Sequence, residues 1–439
     1  MRHLVRTATF VWLFIALSFA ATLPARAVDI QTVVSPKGIK ALLVEDYTVP
    51  LIALDFAFKG GATQDREGKE GTSYLLTTLL DEGAGDIDSQ SFQTKLDDVG
   101  LNYRYSAGND SFSGSFTVLK SDADEAFELV RLMLNEPRFD ADPIDRMKTS
   151  LTTRLQAEIK DPNTIAARAL RDAVFEDHAY ARPRKGTPET LAAVTREDLR
   201  EYRQRVFARD NLNIGVVGAI SAEELAPLLD MLFGPLPEKA RLETVPEATI
   251  ETGKAVHVDL AVPQTVIRVA LPGIKREDPD FYAAHLVNHI LGGGSFSSRL
   301  YQEIREKRGL VYGVFTFLAT YDHAGFVGGG AATGSERAAE TIRVMKEELA
   351  RMAQDGPTEE ELKKAKDFII GSYAISNLDT SSKIASVLVA IQQADLGIDY
   401  IDKRADYLAA VTMEDVKRVA KRLFDGTPTL ITVGQKVEG

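Results

Sequence analysis

An α+β fold of two homologous domains, each a mostly antiparallel sheet packed with helices, is what this 439-residue chain predicts, on three observations. First, the sequence repeats itself. Val194-Thr195-Arg196-Glu197-Asp198-Leu199 recurs as Val411-Thr412-Met413-Glu414-Asp415-Val416, and Asn213 to Gly218 recurs as Thr429 to Gly434, at offsets of 217 and 216. Phe56 to Gly60 parallels Val269 to Gly273, and Gly100-Leu101-Asn102-Tyr103 parallels Gly309-Leu310-Val311-Tyr312, in the same order. Second, short strand-like runs and amphipathic helical stretches alternate within each half. Third, the length exceeds what one hydrophobic core usually serves. The expected division is residues 28–234 and 254–439 as domains, with the Pro- and Glu-rich stretch 235–253 as linker.

Within the first half, residues 49–58 predict a strand and 71–82 a helix with Leu75, Leu76, Leu79 and Leu80 on one side. Phe92, Leu96 and Val99 form an i, i+4, i+7 stripe closed by Gly100, a residue suited to the left-handed position after a helix end. A hairpin is expected from Leu101–Ala107 and Phe112–Leu119 around Gly108-Asn109-Asp110. Ser121–Asn135 follows as a helix opened by Ser and Asp caps, and Asp142-Pro143 as a helix start with Pro at its first position. In the second half, Thr358-Glu359-Glu360-Glu361 is a capping box. Helices are expected on one face of each sheet.

Composition narrows the chemistry. Cysteine is absent, which excludes thiol nucleophiles and Cys-type zinc; six His and the carboxylates remain as metal ligands. The first 27 residues have the build of a signal peptide: basic Arg2 and Arg6, an apolar run from Phe10 to Ala20, and Ala25-Arg26-Ala27 as cleavage site. Export to the periplasm is therefore expected, with no membrane span after removal. Losing three Arg and no acid takes the formal charge from −12 to −15. That excludes nucleic-acid binding and mildly favours basic or neutral peptides as ligands.

The strings Leu291-Gly292-Gly293-Gly294-Ser295-Phe296-Ser297-Ser298-Arg299-Leu300 and Arg305-Glu306-Lys307-Arg308-Gly309-Leu310-Val311-Tyr312 resemble the second-domain signature of the pitrilysin, or insulinase, metallopeptidases, relatives of mitochondrial processing peptidase. Ala179 to Pro183, Gly186 to Leu191 and Asp210-Asn211-Leu212 are similar to first-domain segments of that family. The family's zinc site is an H-x-x-E-H helix, with His at i and i+4 on one face and Glu as general base. Here the aligned positions hold Tyr74, Thr77 and Thr78, which cannot replace two imidazoles and a carboxylate. The family's third ligand, a Glu, aligns with Glu158.

His285 and His289 have i, i+4 spacing, but they lie in the half where the family carries no zinc, one residue out of register with the repeat. Packing is their expected role, as it is for His178, His257 and His323. By resemblance, Arg305 and Tyr312 are the catalytic candidates, reaching across to a zinc site to hold substrate and stabilise the oxyanion. The resemblance implies a non-metal subunit: no metal in this chain, zinc in a homologous partner subunit, and an unfolded peptide as substrate, gripped by strand addition at a sheet edge. Two other readings remain. One is a non-catalytic scaffold or peptide-binding protein; the other is an independent peptidase using His285 and His289. That peptidase lacks a base and a third ligand, since Glu359 to Glu361 begin the helix matching the one that carries Glu158 but nothing in the sequence aims them at the His pair.

Overall fold

A computed structural model describes residues 28–436; the expected signal peptide lies outside the described residues. Among the described residues eleven strands form two sheets. The first contains β1 (Gln31–Val34), β2 (Lys40–Glu45), β3 (Leu51–Lys59), β4 (Asn102–Ala107), β5 (Ser111–Leu119) and β6 (Leu212–Gly218), in the order β1-β2-β6-β3-β5-β4. The second contains β7 (Ala255–Asp259), β8 (Gln264–Pro272), β9 (Val311–Tyr321), β10 (Ala324–Gly334) and β11 (Thr429–Gly434), in the order β7-β11-β8-β10-β9. The duplication read from the sequence is a duplication of topology. Each sheet has one parallel pair, β2 with β6 and β7 with β11, beside antiparallel neighbours. Gly100 and Gly309, matched in the repeat, both have positive φ, 60° and 64°, ahead of β4 and β9.

Several element boundaries differ from expectation. The helix foreseen over 71–82 is α-helical only at Thr72–Leu76, after which Thr77, Thr78 and Leu79 donate to carbonyls three residues back. The helix Ala123–Asn135 is entered through the tight turn Lys120–Asp122 without a side-chain cap. The next helix starts at Ala141, so Asp140 is its cap position and Pro143 sits third. Thr358 caps its helix as foreseen, its side chain accepting from the Glu361 N–H.

One face of each sheet is covered by its own half's helices. Phe56, Phe58, Phe92, Phe116, Val130 and Phe233 belong to the first such core, and Ile267, Leu286, Leu300, Ile304, Val419 and Phe424 to the second. Contrary to a one-faced cover, the opposite face is covered too, by a helix from the other half. Pro162–Phe175 lays Ala166, Leu170 and Val174, spaced i, i+4, i+8, against Val266, Ala270, Ile431 and Val433. Ser381–Gln393 lays Ala385, Leu388 and Ile391 against Leu42, Val44, Ala53 and Val217. Polar contacts register the exchange. Gln392 Nε2 donates to Ile214 O at 2.8 Å, Arg268 Nη2 donates to Asn163 Oδ1 at 2.9 Å, and Ser386 donates to Asp55. Residues 235–253 carry no regular element and are pinned along their course: Glu243 N–H donates to Gln64, Ala248 N–H to His323 O and Glu251 N–H to Val174 O. Among the described residues no helix is long and apolar enough to cross a membrane.

Candidate functional site

Asp65 holds the start of the helix that aligns with the zinc motif. It is 4% exposed and accepts from Gly71 N–H and Ser73 N–H, both at 2.9 Å, and from the Ser73 hydroxyl at 3.1 Å. Burial pushes its carboxyl up to about 7 despite those donors. The helix then tightens. Thr77 Oγ1 donates to Tyr74 O at 2.7 Å and Thr78 Oγ1 to Leu75 O at 2.8 Å, so both hydroxyls turn back on their own backbone. With bonds three residues back, positions 74 and 78 lose the shared face that four-apart residues have on an α-helix. Glu158 does come to this place, as the alignment expects, but another cation takes it. Lys185 Nζ sits 2.7 and 2.9 Å from its two carboxylate oxygens and 6.0 Å from the Tyr74 ring centre. Nothing in the sequence pattern singled out Lys185.

His285 and His289 are packed in aromatic surroundings. The His285 ring stacks on Phe281, with centres 6.1 Å apart and planes within 5°, and burial first, then the Arg404 charge, lowers its pKa to about 4. His289 stacks on Phe368 at 5.3 Å and is lowered by burial. The other three candidates are also occupied. His178 Nδ1 accepts from Tyr180 N–H and its Nε2 bonds Pro246 O at 2.8 Å; His257 meets Thr432 at 2.9 Å; His323 meets Glu247 at 3.3 Å. Among the described residues no group of three or more His, Asp or Glu is placed to hold a metal ion.

Arg305 and Tyr312 present a different picture. Leu300 and Ile304 are fully buried and anchor the helical turn Tyr301–Glu306, and Arg305 lies with its guanidinium carbon 4.9 Å over the Tyr301 ring. The turn ends where Gly309 N–H donates to Arg305 O and Leu310 N–H to Ile304 O. Nearby Glu303 is engaged by Lys307 at 2.5 Å and Arg308 at 2.8 Å, so it leaves Arg305 unpaired. Tyr312 is the second residue of β9, an edge strand, and is 86% exposed. A bulge in β9, where Tyr312 and Gly313 stand opposite the single residue Ala332 of β10, lets Val311 and Val314 both point inward while Tyr312 points out. Its counterpart in the repeat, Tyr103, is half-buried and donates to Asp81 at 2.8 Å. Among the described residues neither Arg305 nor Tyr312 has a hydrogen bond or ion pair from its side chain, and both are free to meet something outside the chain.

Family models match both halves. Residues 40–188 match the one described as insulinase, peptidase family M16, and residues 193–368 the one described as the peptidase M16 inactive domain. The chain belongs to peptidase family M16. A Bacillus subtilis protein named as an uncharacterized zinc protease is 24% identical over 88% of this chain and 94% of its own length. A Helicobacter pylori protein named as a non-peptidase homolog is 24% identical over 77% and 79%. Among solved structures, a Pseudomonas fluorescens peptidase M16 inactive domain superposes with a TM-score of 0.88 at 26% identity, covering 93% of this chain and 98% of that one. A Helicobacter pylori protease superposes at 0.83 with 17% identity, covering 93% and 100%. This M16 chain thus keeps the family architecture without the zinc-binding side chains.

Proposed function

We propose that this M16 chain is the exported, non-metal subunit of a two-chain zinc peptidase, paired with a homologous zinc-bearing subunit and active only in that pair. The observation that carries the reading is a contrast between two sites. The vacated zinc helix is filled and self-satisfied, its hydroxyls on its own carbonyls and Glu158 on Lys185. Arg305, stacked on Tyr301, and Tyr312, 86% exposed, keep their hydrogen-bond donors without a partner among the described residues. The partner's residues would hold the zinc, which would supply an activated water. In this chain the Arg305 guanidinium and the Tyr312 hydroxyl donate hydrogen bonds to the scissile carbonyl oxygen as it gains negative charge, in a chamber closed by the facing subunits. Such donors act because they are fixed before the charge develops, and each is worth on the order of 3 kcal/mol.

The same fold without catalysis, a scaffold or peptide-binding protein, is favoured by the name of the Helicobacter pylori relative. Arg305→Ala in a reconstituted pair separates the two. Turnover is expected to fall on the order of 100-fold with pairing intact by gel filtration. Unchanged turnover assigns the scaffold role.

A further inference from the structure

A cavity of about 1010 Å³ lies between the two halves and is walled by the exchanged helices, the β4–β5 turn and the end of β9. Its charge is opposite in character to that of the whole chain. Lys59, Arg171, Arg184, Arg268 and Arg276 line it, against Asp110, Glu277, Asp322 and Asp395. Two of those acids are engaged: Asp110 accepts from the Tyr180 hydroxyl at 2.8 Å and from Asp322 N–H, and Glu277 pairs with Lys275 at 3.1 Å. Two of the cations are engaged as well, Arg268 with Asn163 and Ile267 O, and Arg276 stacked 3.9 Å over Phe281.

Lys59 stands exposed at the end of β3 without a side-chain partner among the described residues, which leaves Arg171 and Arg184. Among the described residues neither has a carboxylate within 4 Å or a side-chain hydrogen bond, and Arg171 Nε is fully buried with no acceptor. A buried, unsatisfied donor on a charged group is costly. Burial and the nearby Arg184 charge both hold Arg171 below the usual arginine range, against the opposing pull of Asp172. Beside the pair stands an apolar wall: Tyr321 packs 4.9 Å from Tyr180 and 5.7 Å from Phe326, and Phe317 packs 5.8 Å from Phe326. A planar guanidinium facing a cavity, with a second beside it and aromatic surface next to both, has the features of a carboxylate subsite.

We propose that Arg171 and Arg184 form a subsite of this cavity for a carboxylate borne by a peptide, with Phe317 and Tyr321 contacting the adjoining residues. The inference rests on the reading of this chain as a peptide-handling subunit and adds the chemistry it selects; a preference for anionic peptides reverses what the net charge implies. Along β9, nine residues separate Tyr312 from Tyr321, about 30 Å at a strand's rise. The subsite is therefore remote from Arg305 and separable from it by mutation.

The test is calorimetric titration of the full mature chain with a ten-residue peptide as the free acid, as the C-terminal amide, and as the amide with an internal Glu or Gln. Peptides with a carboxylate are expected to bind at least tenfold more tightly than the neutral one, and Arg171→Gln and Arg184→Gln to remove that preference. Dependence on the free C-terminus assigns the α-carboxylate, and dependence on Glu assigns a side-chain carboxylate. Equal binding of charged and neutral peptides, or a preference that survives in both variants, overturns the proposal. So does the absence of binding by any of the peptides. The wild-type comparison needs no variant to fold, and Arg305→Ala turnover in the pair reports separately on the catalytic reading.

Discussion

Asp55 in β3 is 8% exposed, with one carboxylate oxygen bonded by Ser386 of the exchanged helix and the other buried without a partner. Burial raises its pKa from 3.8 to about 6, outweighing the Ser386 hydroxyl, which lowers it. The folded state therefore holds this proton more tightly than the unfolded chain. Its contribution to stability is complete below about pH 3.8 and is lost as pH rises through 6. Asp55→Asn is expected to raise stability above pH 6 by on the order of 2 kcal/mol and to flatten the pH dependence below it, read by urea denaturation at several pH values. A variant less stable at pH 7 would contradict the argument. At the degenerate zinc helix, Tyr74→His/Thr77→Glu/Thr78→His is expected to leave the chain free of zinc by elemental analysis, because the turn tightens after Leu76 and Lys185 already neutralises Glu158. Stoichiometric zinc would show that neither obstacle matters. The missing motif was legible in the sequence, since residue types alone decide whether imidazoles are present. Lys185, Arg171 and Arg184 were not, because a surface-type cation gains meaning only from the carboxylate it meets or fails to meet.

Scale up to the element, and the exchanged helices set the tightest constraints. A Cβ at Gly215 of β6 would stand 2.4 Å from Ala385 O and 2.8 Å from Leu388 Cβ, so glycine is what lets the helix Ser381–Gln393 seat on the first sheet. Gly215→Ala is expected to cost about 1–3 kcal/mol of stability, measured by denaturant midpoint, through overpacking at that contact. A neutral result would mean that the helix shifts freely. The strands at 49–58, 101–107 and 112–119, the left-handed Gly100 ahead of β4 and the Thr358 capping box were readable because local spacing encodes them. The exchange was not readable from periodicity. An apolar i, i+4, i+8 stripe says that a helix is buried on one side, and is silent about which sheet buries it. A hint did exist in β3, where residues 51–58 are apolar on both faces apart from Asp55, as expected of a strand covered twice.

For the whole molecule, reciprocal helix exchange ties two repeated halves into one cooperative body. Heat denaturation of the mature chain is expected to show a single transition, and proteolytic cutting within 235–253 to leave both fragments co-eluting on gel filtration. Two separated transitions, or fragments that part, would deny the coupling. The same architecture leaves the chain's surface with a free Arg and Tyr and its zinc helix closed, which is why the account places the metal on another subunit. The most direct measurement is zinc content and peptide hydrolysis of this chain alone, of a candidate zinc subunit alone, and of the two mixed. The account predicts no tightly bound zinc and no hydrolysis for this chain alone, and one zinc per pair with hydrolysis on mixing. Tightly bound zinc on this chain that is lost in His285→Ala/His289→Ala, with hydrolysis by the chain alone, would contradict it.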